Sequence, residues 1–570
     1  MQTKNINNND LNLQNVGQNV TVHGWVANKR RFSGLTFIDL RDRSGIIQCV
    51  FKQDVHVPKE SVLEVRGEVV ARQSANKDIK SGEIEILASD FTVFSTSVEE
   101  LPFTIRDDIN VNEDLRLKYR FLDLRREKMK NNIILKSNLM HAVREFMHKN
   151  GFIDIETPML ARSTPEGARD FLVPTRSQNQ FWALPQSPQL FKQILMLSGF
   201  EKYYQFARCF RDEDGRKDRQ PEFTQLDIET SFTNVEDFQA YIEELFKYIF
   251  KQLNLNLVTP LARIKYFDAL RDYGTDKPDL RFGYKLQDIN DFANDTDFSI
   301  IKDAQSKRML FVDSIISKKE FKLLSEIALK NKANILFYFV VENGEISHTN
   351  FANKIKDSVL NLIKQNNNKD GSYFIVANSY ENASKALGAV RVELNDMFHY
   401  ANDDEYHLSW ITDWPMFEYD EQNNTWQAAH HPFTQFDHEL EELDKLPLEK
   451  VMAKSYDLVL NGFELGSGSA RIFDQKTQQK MFEMIGMDKE QQETKFGWFI
   501  DAFKYGVPPH CGIGLGLDRL VMILTHEKSI RDVIAFPKNA KAQDVFTQAP
   551  NTVDNKQLDE LFIEVKKNNN

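Results

Sequence analysis

The stretch that decides the fold is residues 208–229, RCFRDEDGRKDRQPEFTQLDIE. Alternating apolar pieces at 203–210 and 223–228 flank a basic loop with one Gly and one Pro, a pattern that predicts an antiparallel hairpin. Guanidinium groups clamp phosphoryl oxygens in a fixed geometry, so the basic loop, with acidic neighbours, suits a ligand that carries phosphates and metal. The alternative for such a charge run is a solvated, self-paired loop.

Length and composition indicate an ordinary multidomain globular protein. The chain has 570 residues, 41% of them hydrophobic and 27% charged, which is enough for two to four domains. Its polar N-terminus, MQTKNINNND, is unlike a signal peptide, and no apolar run is long enough to span a membrane. The three cysteines are scattered, without a Cys-x-x-Cys pair, so neither a disulfide framework nor a structural zinc site is expected. We therefore predict a cytoplasmic protein with no membrane partner.

The net charge of −12 argues mildly against a nucleic-acid partner and against stable DNA binding. It does not exclude RNA, because local patches decide when the wider field is screened.

The first hundred residues predict a small barrel. Five short alternating runs (19–27, 35–40, 46–51, 61–71 and 83–94) are separated by turn residues, which is typical of an OB-fold. Arg30, Phe37 and Gln48 combine a cation, a ring and an amide, the groups that bind unstacked bases, and Lys29 and Arg31 suit phosphate. The alternative is that Phe37 is a core residue and the basic triplet a hairpin tip.

Further along, a basic segment at 104–130 predicts a hinge between domains. A helix is predicted over 131–149, with apolar residues on one stripe and Gly151 at its C-terminal cap. This helix and the strand and Pro158 that follow could serve packing alone or a dimer interface.

Residues 278–403 are rich in Asn and Lys and are interpreted as an insertion.

Polar residues for chemistry return near the C-terminus, in AAHHPFT, YDLVLNGFELGSGSARI and GIGLGLDRLVMIL. Alternation in DLVLNGFEL predicts one strand with Asp457 and Glu464 on opposite faces, unless a bulge at Gly462 brings both carboxylates to one side. Arg519 is predicted in the first turn of a helix, where a cation is unfavourable until an anion binds beside it.

With these residues in hand, the sequence resembles the bacterial-type aspartyl-tRNA synthetases, a class II aminoacyl-tRNA synthetase family, over about residues 15–545. The helix–strand–Pro stretch matches motif 1, FRDED…RQPEFTQLDIE matches motif 2, and GLGLDR matches motif 3. The signatures TPEGARDF, QSPQLFK, HHPFT and GFELGSGSARI are also present. The GAD triplet that names the inserted domain of this family is not intact, since the chain has LGAVRVEL.

The resemblance implies a multidomain α+β fold. It comprises an OB-fold anticodon-binding domain (1–103), a hinge (104–130), an antiparallel-sheet catalytic domain in two parts (131–277 and 404–542), an inserted α+β domain (278–403) and a C-terminal extension (543–570). It also implies a homodimer formed through the motif 1 helix.

The implied reaction is activation of L-aspartate by ATP with Mg²⁺, followed by transfer to the terminal adenosine of tRNA-Asp. The implied catalytic residues are Arg211, Glu464 and Arg519. The implied ATP contacts are Arg211, Asp212, Glu213, Gln220, Phe223, Glu464, Gly516, Leu517, Asp518 and Arg519. The implied metal ligands are Asp457 and Glu464. The implied aspartate contacts are Glu166, Ser187, Gln189, Lys192, Arg211, Asp227, His430, His431 and Arg471. The implied anticodon contacts are Arg30, Phe37 and Gln48.

Charge is the implied basis of amino-acid choice, because aspartate and asparagine have nearly the same shape. Lys192 and Arg471 facing an amide would leave buried cations unpaired, which makes an asparaginyl enzyme a poorer interpretation. Two alternatives stay open: an enzyme that also charges tRNA-Asn, and an inactive synthetase-like RNA-binding regulator. The regulator is disfavoured because Arg211, Asp457, Glu464 and Arg519 are all present.

Overall fold

The chain is described by a computed structural model that covers residues 6–163, 167–213, 215–294, 296, 298–351, 355–367, 369–420 and 424–566. Two compact units are found, Met1–Val111 and Asn112–Asn570. Residues 112–130, the later part of the predicted hinge, therefore belong to the larger unit. Arg120 explains why: its side chain is 2% exposed and donates to Asp123 Oδ2 (2.6 Å) and to the Ile534 carbonyl (2.6 Å).

The smaller unit is the predicted five-stranded barrel, closed in the order β1-β2-β3-β5-β4. Its strands are β1 Asn19–Phe32, β2 Leu35–Arg41, β3 Ile46–Phe51, β4 Val62–Ala71 and β5 Ile84–Ser95. Strand β1 is five residues longer than predicted because its pairing with β2 continues to Phe32↔Leu35. Alternate residues such as Val22, Ile38 and Leu63 are fully buried and form the core.

An eight-stranded, mostly antiparallel sheet forms the centre of the larger unit, in the order β11-β17-β22-β23-β24-β10-β9-β6. The strands are β6 Ile153–Asp154, β9 Lys202–Phe210, β10 Glu222–Ser231, β11 Ala262–Lys265, β17 Leu408–Thr412, β22 Ser455–Leu460, β23 Phe463–Ala470 and β24 His510–Gly516. The predicted hairpin is confirmed, since β9 and β10 pair antiparallel from Glu222↔Phe210 to Thr230↔Lys202.

Three helices cover this sheet: α3 Glu127–Lys149, α5 Val235–Gln252 and α14 Leu517–Leu524. Helix α3 begins four residues before its predicted start, and its stripe at Leu139, Val143 and Met147 is buried as predicted. Gly151 follows α3 with a φ of 77°, the left-handed conformation expected after a helix C-terminus.

The insertion has a sheet of its own, ordered β12-β13-β16-β14-β15. Its elements are β12 Leu286–Asp288, α7 Ser299–Lys302, β13 Ser306–Val312, α8 Lys318–Lys330, β14 Phe337–Glu342, β15 Glu345–Thr349, α9 Lys356–Gln365, β16 Gly371–Asn378 and α10 Tyr380–Phe398. Two hydrophobic clusters lie on the two faces of this sheet, so the segment has its own core.

Shorter elements complete the larger unit. They are α1 Glu113–Lys118, α2 Arg120–Asp123, β7 Leu172–Pro174, β8 Phe181–Ala183, α4 Gln189–Leu197, α6 Tyr266–Tyr273, β18 Trp414–Pro415, β19 Phe417–Asp420, β20 Thr425–Ala428, α11 Leu440–Leu443, β21 Met452–Ala453, α12 Gln475–Met484, α13 Lys489–Ala502 and α15 Asn555–Glu560. Among the residues described, none of the helices is both long and apolar enough to cross a membrane.

Candidate active site

A cavity of about 520 Å³ opens on the central sheet, between β9–β10, β23–β24 and the start of α14. It gathers most of the predicted site residues. Those that line it are Ser187, Gln189, Lys192, Arg211, Glu213, Gln220, Phe223, Asp227, His430, His431, Glu464, Arg471, Gly516, Asp518 and Arg519. Glu166, which directly precedes the lining residue Gly167 in the sequence, is outside the described residues.

Three predicted residues do not line the cavity. The Asp212 carboxylate lies 3.5 Å from Arg169 Nε. The Leu517 side chain is buried in the sheet–helix core, which leaves only its backbone for a ligand. Asp457 is buried, and the residue is 7% exposed.

One end of the cavity holds a buried four-residue charge cluster. Lys192 on α4 donates to Asp227 Oδ1 at 2.8 Å and lies 3.3 Å from Glu229 Oε2. Arg471, just after β23, donates from Nε to Glu229 Oε1 at 2.9 Å and from Nη2 to Glu229 Oε2 at 3.2 Å. All four side chains are at most 2% exposed. The two cations are therefore held in place before any ligand arrives.

The two carboxylates of this cluster ionise differently. Burial raises the pKa of Asp227 to about 6, against the attraction of Lys192, its nearest cation. Burial also opposes ionisation of Glu229, but Arg471 and Lys192 together lower its pKa to about 2. Glu229 thus stays charged at all ordinary pH values, while Asp227 changes charge near pH 6.

Two adjacent histidines cover this end of the cavity in their neutral form. Burial lowers the pKa of His430 to about 4, and its Nε2 lies 2.9 Å from Ser455 Oγ. Burial and the nearby Arg471 lower the pKa of His431 well below its ordinary value. Arg471 Nη1 donates to His431 Nε2, which requires that nitrogen to be unprotonated.

The other end of the cavity presents arginines to a ligand. The Arg211 guanidinium lies 5.1 Å from the centre of the Phe223 ring, and no carboxylate pairs with it in the described part of the chain. Arg519 donates to the Glu464 carbonyl and lies 3.3 Å from Asp218 Oδ2. Its Nε is buried without a partner among the described groups. Two guanidinium groups with spare donors suit an anion such as a polyphosphate.

The side chains of two predicted ATP contacts are already hydrogen-bonded within the protein. Asp518 accepts from the Thr224 N–H at 2.8 Å and from Lys136 of α3, so both its oxygens are used. Gln220 donates to the Lys538 carbonyl (3.0 Å) and accepts from the Lys538 N–H (2.8 Å). Each side chain borders the cavity, but its polar atoms bind neighbouring segments of the protein.

The prediction of a single strand through DLVLNGFEL is wrong. Asn461 and Gly462 form a two-residue turn with φ values of 49° and 85°, and β22 pairs with β23 from Leu460↔Phe463 onward. The bulge is not at Gly462. It lies in β23, where Val459 pairs with Glu464 but Leu458 pairs with Gly466. The Asn-Gly dipeptide is a strong hairpin signal that the strand interpretation overlooked.

The hairpin brings the two predicted metal ligands to the same side. Val459 is paired with Glu464, and Asp457 lies two residues before Val459, on the same face. Burial and the nearby Glu464 raise the pKa of Asp457 well above its ordinary value. Asp457 Oδ1 is buried without a hydrogen-bond partner among the described residues. An orphaned carboxylate oxygen beside a second carboxylate fits a hard divalent cation.

On the barrel, the three predicted anticodon residues come together. Arg30 is paired with Phe37 across β1 and β2, and Arg30 Nη2 donates to Gln48 Oε1 at 3.0 Å. Gln48 Nε2 donates to Glu85 Oε2 at 2.6 Å, a partner that was not predicted. Phe37 is half-buried on the face opposite Ile38, so it is not a core residue.

The two cations beside Arg30 are already engaged. Lys29 Nζ donates to the Val57 carbonyl at 2.9 Å, and Arg31 pairs with Asp54.

Sequence reasoning missed several residues of the site. Glu229 was overlooked although it shares a strand face with Asp227, two residues away, so period-two alternation had the signal. Asp218 was also missed, in the basic loop that was predicted to bind phosphate. Arg219, one of the cations of that predicted loop, pairs with Glu213 at 2.7 Å. Gln225, Ser467 and Ser469 also line the cavity, with no distinguishing sequence signal.

The fold and cavity define the chain as a class II tRNA synthetase. The family model described as tRNA synthetases class II (D, K and N) matches residues 112–540, and the chain belongs to this family. A model for an OB-fold nucleic acid binding domain matches residues 20–94. Within the family the chain belongs with the bacterial aspartate–tRNA ligases. That of Malacoplasma penetrans is 47% identical over 567 residues, with 97% of each chain covered.

Other relatives include the aspartate–tRNA ligase of Bacillus licheniformis, 44% identical with 97% of each chain covered. The aspartate–tRNA(Asp/Asn) ligase of Dictyoglomus turgidum is 46% identical, with 98% of this chain and 97% of the relative covered. Among solved structures, asparaginyl-tRNA synthetase from Pyrococcus horikoshii, complexed with asparaginyl-adenylate, matches 94% of this chain and 98% of its own. Its TM-score is 0.59 at 19% identity, a likeness of fold alone.

Proposed function

We propose that the chain is an aspartate–tRNA ligase. It activates L-aspartate with ATP to aspartyl-adenylate and pyrophosphate, then transfers the aspartyl group to the 3′-terminal adenosine of tRNA-Asp. The observation that carries the amino-acid assignment is the buried pair Lys192 and Arg471 at the end of the cavity that His430 and His431 cover. The full-length relatives named aspartate–tRNA ligase support the same activity.

In this proposal the aspartate side-chain carboxylate binds between Lys192 and Arg471. Asp227 faces its ammonium, together with Ser187, Gln189 and Glu166. The neutral His430 and His431 cover the site and add no charge that would attract a second anion. Glu229 fixes the orientation of Arg471 through the hydrogen bonds from Nε and Nη2.

ATP binds at the other end of the cavity. Its adenine stacks on Phe223, Arg211 holds the α-phosphate and Arg519 holds the γ-phosphate. Asp457 and Glu464 would hold Mg²⁺, which would supply neutralisation of the phosphate charge.

The chemistry needs positioning more than proton transfer. The aspartate α-carboxylate attacks the α-phosphorus in line, the bond to the bridging oxygen breaks, and pyrophosphate leaves. Arg211 stabilises the charge that grows on the α-phosphoryl oxygens during this step. No side chain has to act as a general base because the nucleophile is already ionised.

Aspartate-dependent exchange of labelled pyrophosphate into ATP tests the proposal without tRNA. An amide in place of the carboxylate loses the charge-assisted hydrogen bonds to Lys192 and Arg471 and turns its NH2 group towards their N–H donors, a loss of about 3 kcal/mol. We therefore expect L-aspartate to exceed L-asparagine in kcat/KM by at least about 100-fold. Equal exchange with the two amino acids would contradict the assignment of Lys192 and Arg471.

The tRNA partner is proposed to bind the barrel face of Arg30, Phe37 and Gln48 through its anticodon. The protein is further proposed to be a cytoplasmic homodimer that pairs through α3. Charging of tRNA-Asn as well is a second candidate, favoured by the relatives named aspartate–tRNA(Asp/Asn) ligase.

A further inference from the structure

The two segments that connect the insertion to the catalytic sheet meet at one place. We call them the neck, defined as residues 279–281 and 402–407. Arg281 joins the two, because its Nη2 donates to Asp279 Oδ2 at 2.8 Å and its Nη1 lies 3.2 Å from Asp403 Oδ1. The buried Arg391 of α10 donates to the Asp279 carbonyl at 2.9 Å, so the insertion's longest helix is fastened to the neck.

The neck holds the tip of the β22–β23 hairpin. The Asn461 side chain, 6% exposed, accepts from the His407 N–H at 2.8 Å and donates to the Glu405 carbonyl at 2.9 Å. On the other side, a Cβ added to Gly462 would lie 3.3 Å from Asp279 Cβ. The turn is therefore enclosed by both halves of the neck.

Glu464 lies two residues after Gly462, the second residue of this turn. Its side chain lines the cavity, and its carbonyl accepts a hydrogen bond from Arg519. A shift of the turn would therefore move two groups together: the Glu464 side chain in the cavity and the Glu464 carbonyl that accepts the hydrogen bond from Arg519.

We propose that the neck of the insertion is a positioning element of the ATP site. It sets the place of Glu464 by holding the Asn461–Gly462 turn, and Asn461 is the positioning residue. The insertion thus has a role in amino-acid activation as a clamp on the hairpin. This proposal rests on the proposed function, and it concerns only the ATP end of the cavity.

The chain supplies a matched control for the test. Asn343 and Gly344 form a second Asn-Gly turn, between β14 and β15, with φ values of 52° and 77°. This turn has the same two residues and the same backbone conformation, but Asn343 is exposed and lies away from the neck. Asn461→Gly and Asn343→Gly both keep the left-handed conformation without strain and remove only the side chain.

Pyrophosphate exchange and hydrogen exchange are measured for both variants and the parent protein. Asn461→Gly is expected to lower kcat/KM for ATP about tenfold, the value of one to two buried hydrogen bonds, while KM for aspartate is unchanged. Backbone amides at 463–466 should exchange faster. Asn343→Gly should leave the kinetics unchanged and speed exchange only in its own hairpin.

Three outcomes would overturn the proposal: unchanged kinetics in Asn461→Gly, an equal loss in Asn343→Gly, or a rise in KM for aspartate that matches the loss for ATP. A parent protein without aspartate-dependent exchange would instead contradict the proposed function. In that event the amide exchange at 463–466 still decides whether the neck holds the hairpin.

Discussion

Glu229→Gln tests the charge cluster that selects the amino acid. The substitution keeps the shape of the side chain and removes its charge. Among the described residues, this leaves Lys192 paired with Asp227 alone and Arg471 without a carboxylate in contact. The folded protein lowers the pKa of Glu229 from 4.5 to about 2, which corresponds to about 3 kcal/mol of stability at neutral pH. Breaking a buried ion pair costs a similar amount, about 3–5 kcal/mol.

The sign of the pH dependence follows from the lowered pKa. The stabilisation is fully present above pH 4.5 and is lost as the pH falls towards 2. Urea unfolding of the parent and the variant should therefore differ by about 3 kcal/mol at pH 7, with a smaller difference in acid. KM for aspartate should also rise because Arg471 loses one of the two acceptor oxygens that orient it.

A suitable control is Glu244→Gln, since Glu244 forms an exposed pair with Lys247 on α5. Exposed pairs of this kind contribute about 0–1 kcal/mol, so little change in unfolding or activity is expected. If Glu229→Gln unfolded at the same urea concentration as Glu244→Gln, the cluster would not be the preorganised site described above.

Three further predictions follow from the same geometry. Because burial raises the pKa of Asp227 to about 6, KM for aspartate should rise as the pH falls through 6, and Asp227→Asn should abolish this dependence. Arg519→Ala should lower pyrophosphate exchange by about 100-fold or more while leaving tRNA affinity nearly intact, and a parallel loss of tRNA binding would refute its role. Phe37→Ala should raise KM for tRNA about tenfold, the effect of one lost stacking contact, and spare pyrophosphate exchange.

Regular periodicity made much of the fold predictable. The barrel strands, the β9–β10 hairpin, the stripe on α3 and the β24–α14 junction all follow from local alternation and turn residues. The β22–β23 hairpin was misread because alternation continues across its tight Asn-Gly turn, so period alone could not show that the chain reverses there.

Most residues of the candidate site could be predicted from the sequence, but the ion pairs and hydrogen bonds between them could not. Lys192, Asp227 and Arg471 were predicted, yet the ion pairs that fix them join segments far apart in sequence, and Glu229 contacts both Lys192 and Arg471. The bracing roles of Gln220 and Asp518 were likewise invisible, since their partners Lys538 and Lys136 lie in other segments. Local sequence shows which groups are available, and tertiary packing decides which of them are free to bind a ligand.

The most direct test of the central claim is aminoacylation with labelled aspartate, using separate purified transcripts of tRNA-Asp and tRNA-Asn. We expect aspartate to be attached to tRNA-Asp. Charging of tRNA-Asp alone would establish a discriminating aspartate–tRNA ligase, and comparable charging of both would establish the broader activity. Charging of neither transcript by the folded protein would contradict the account.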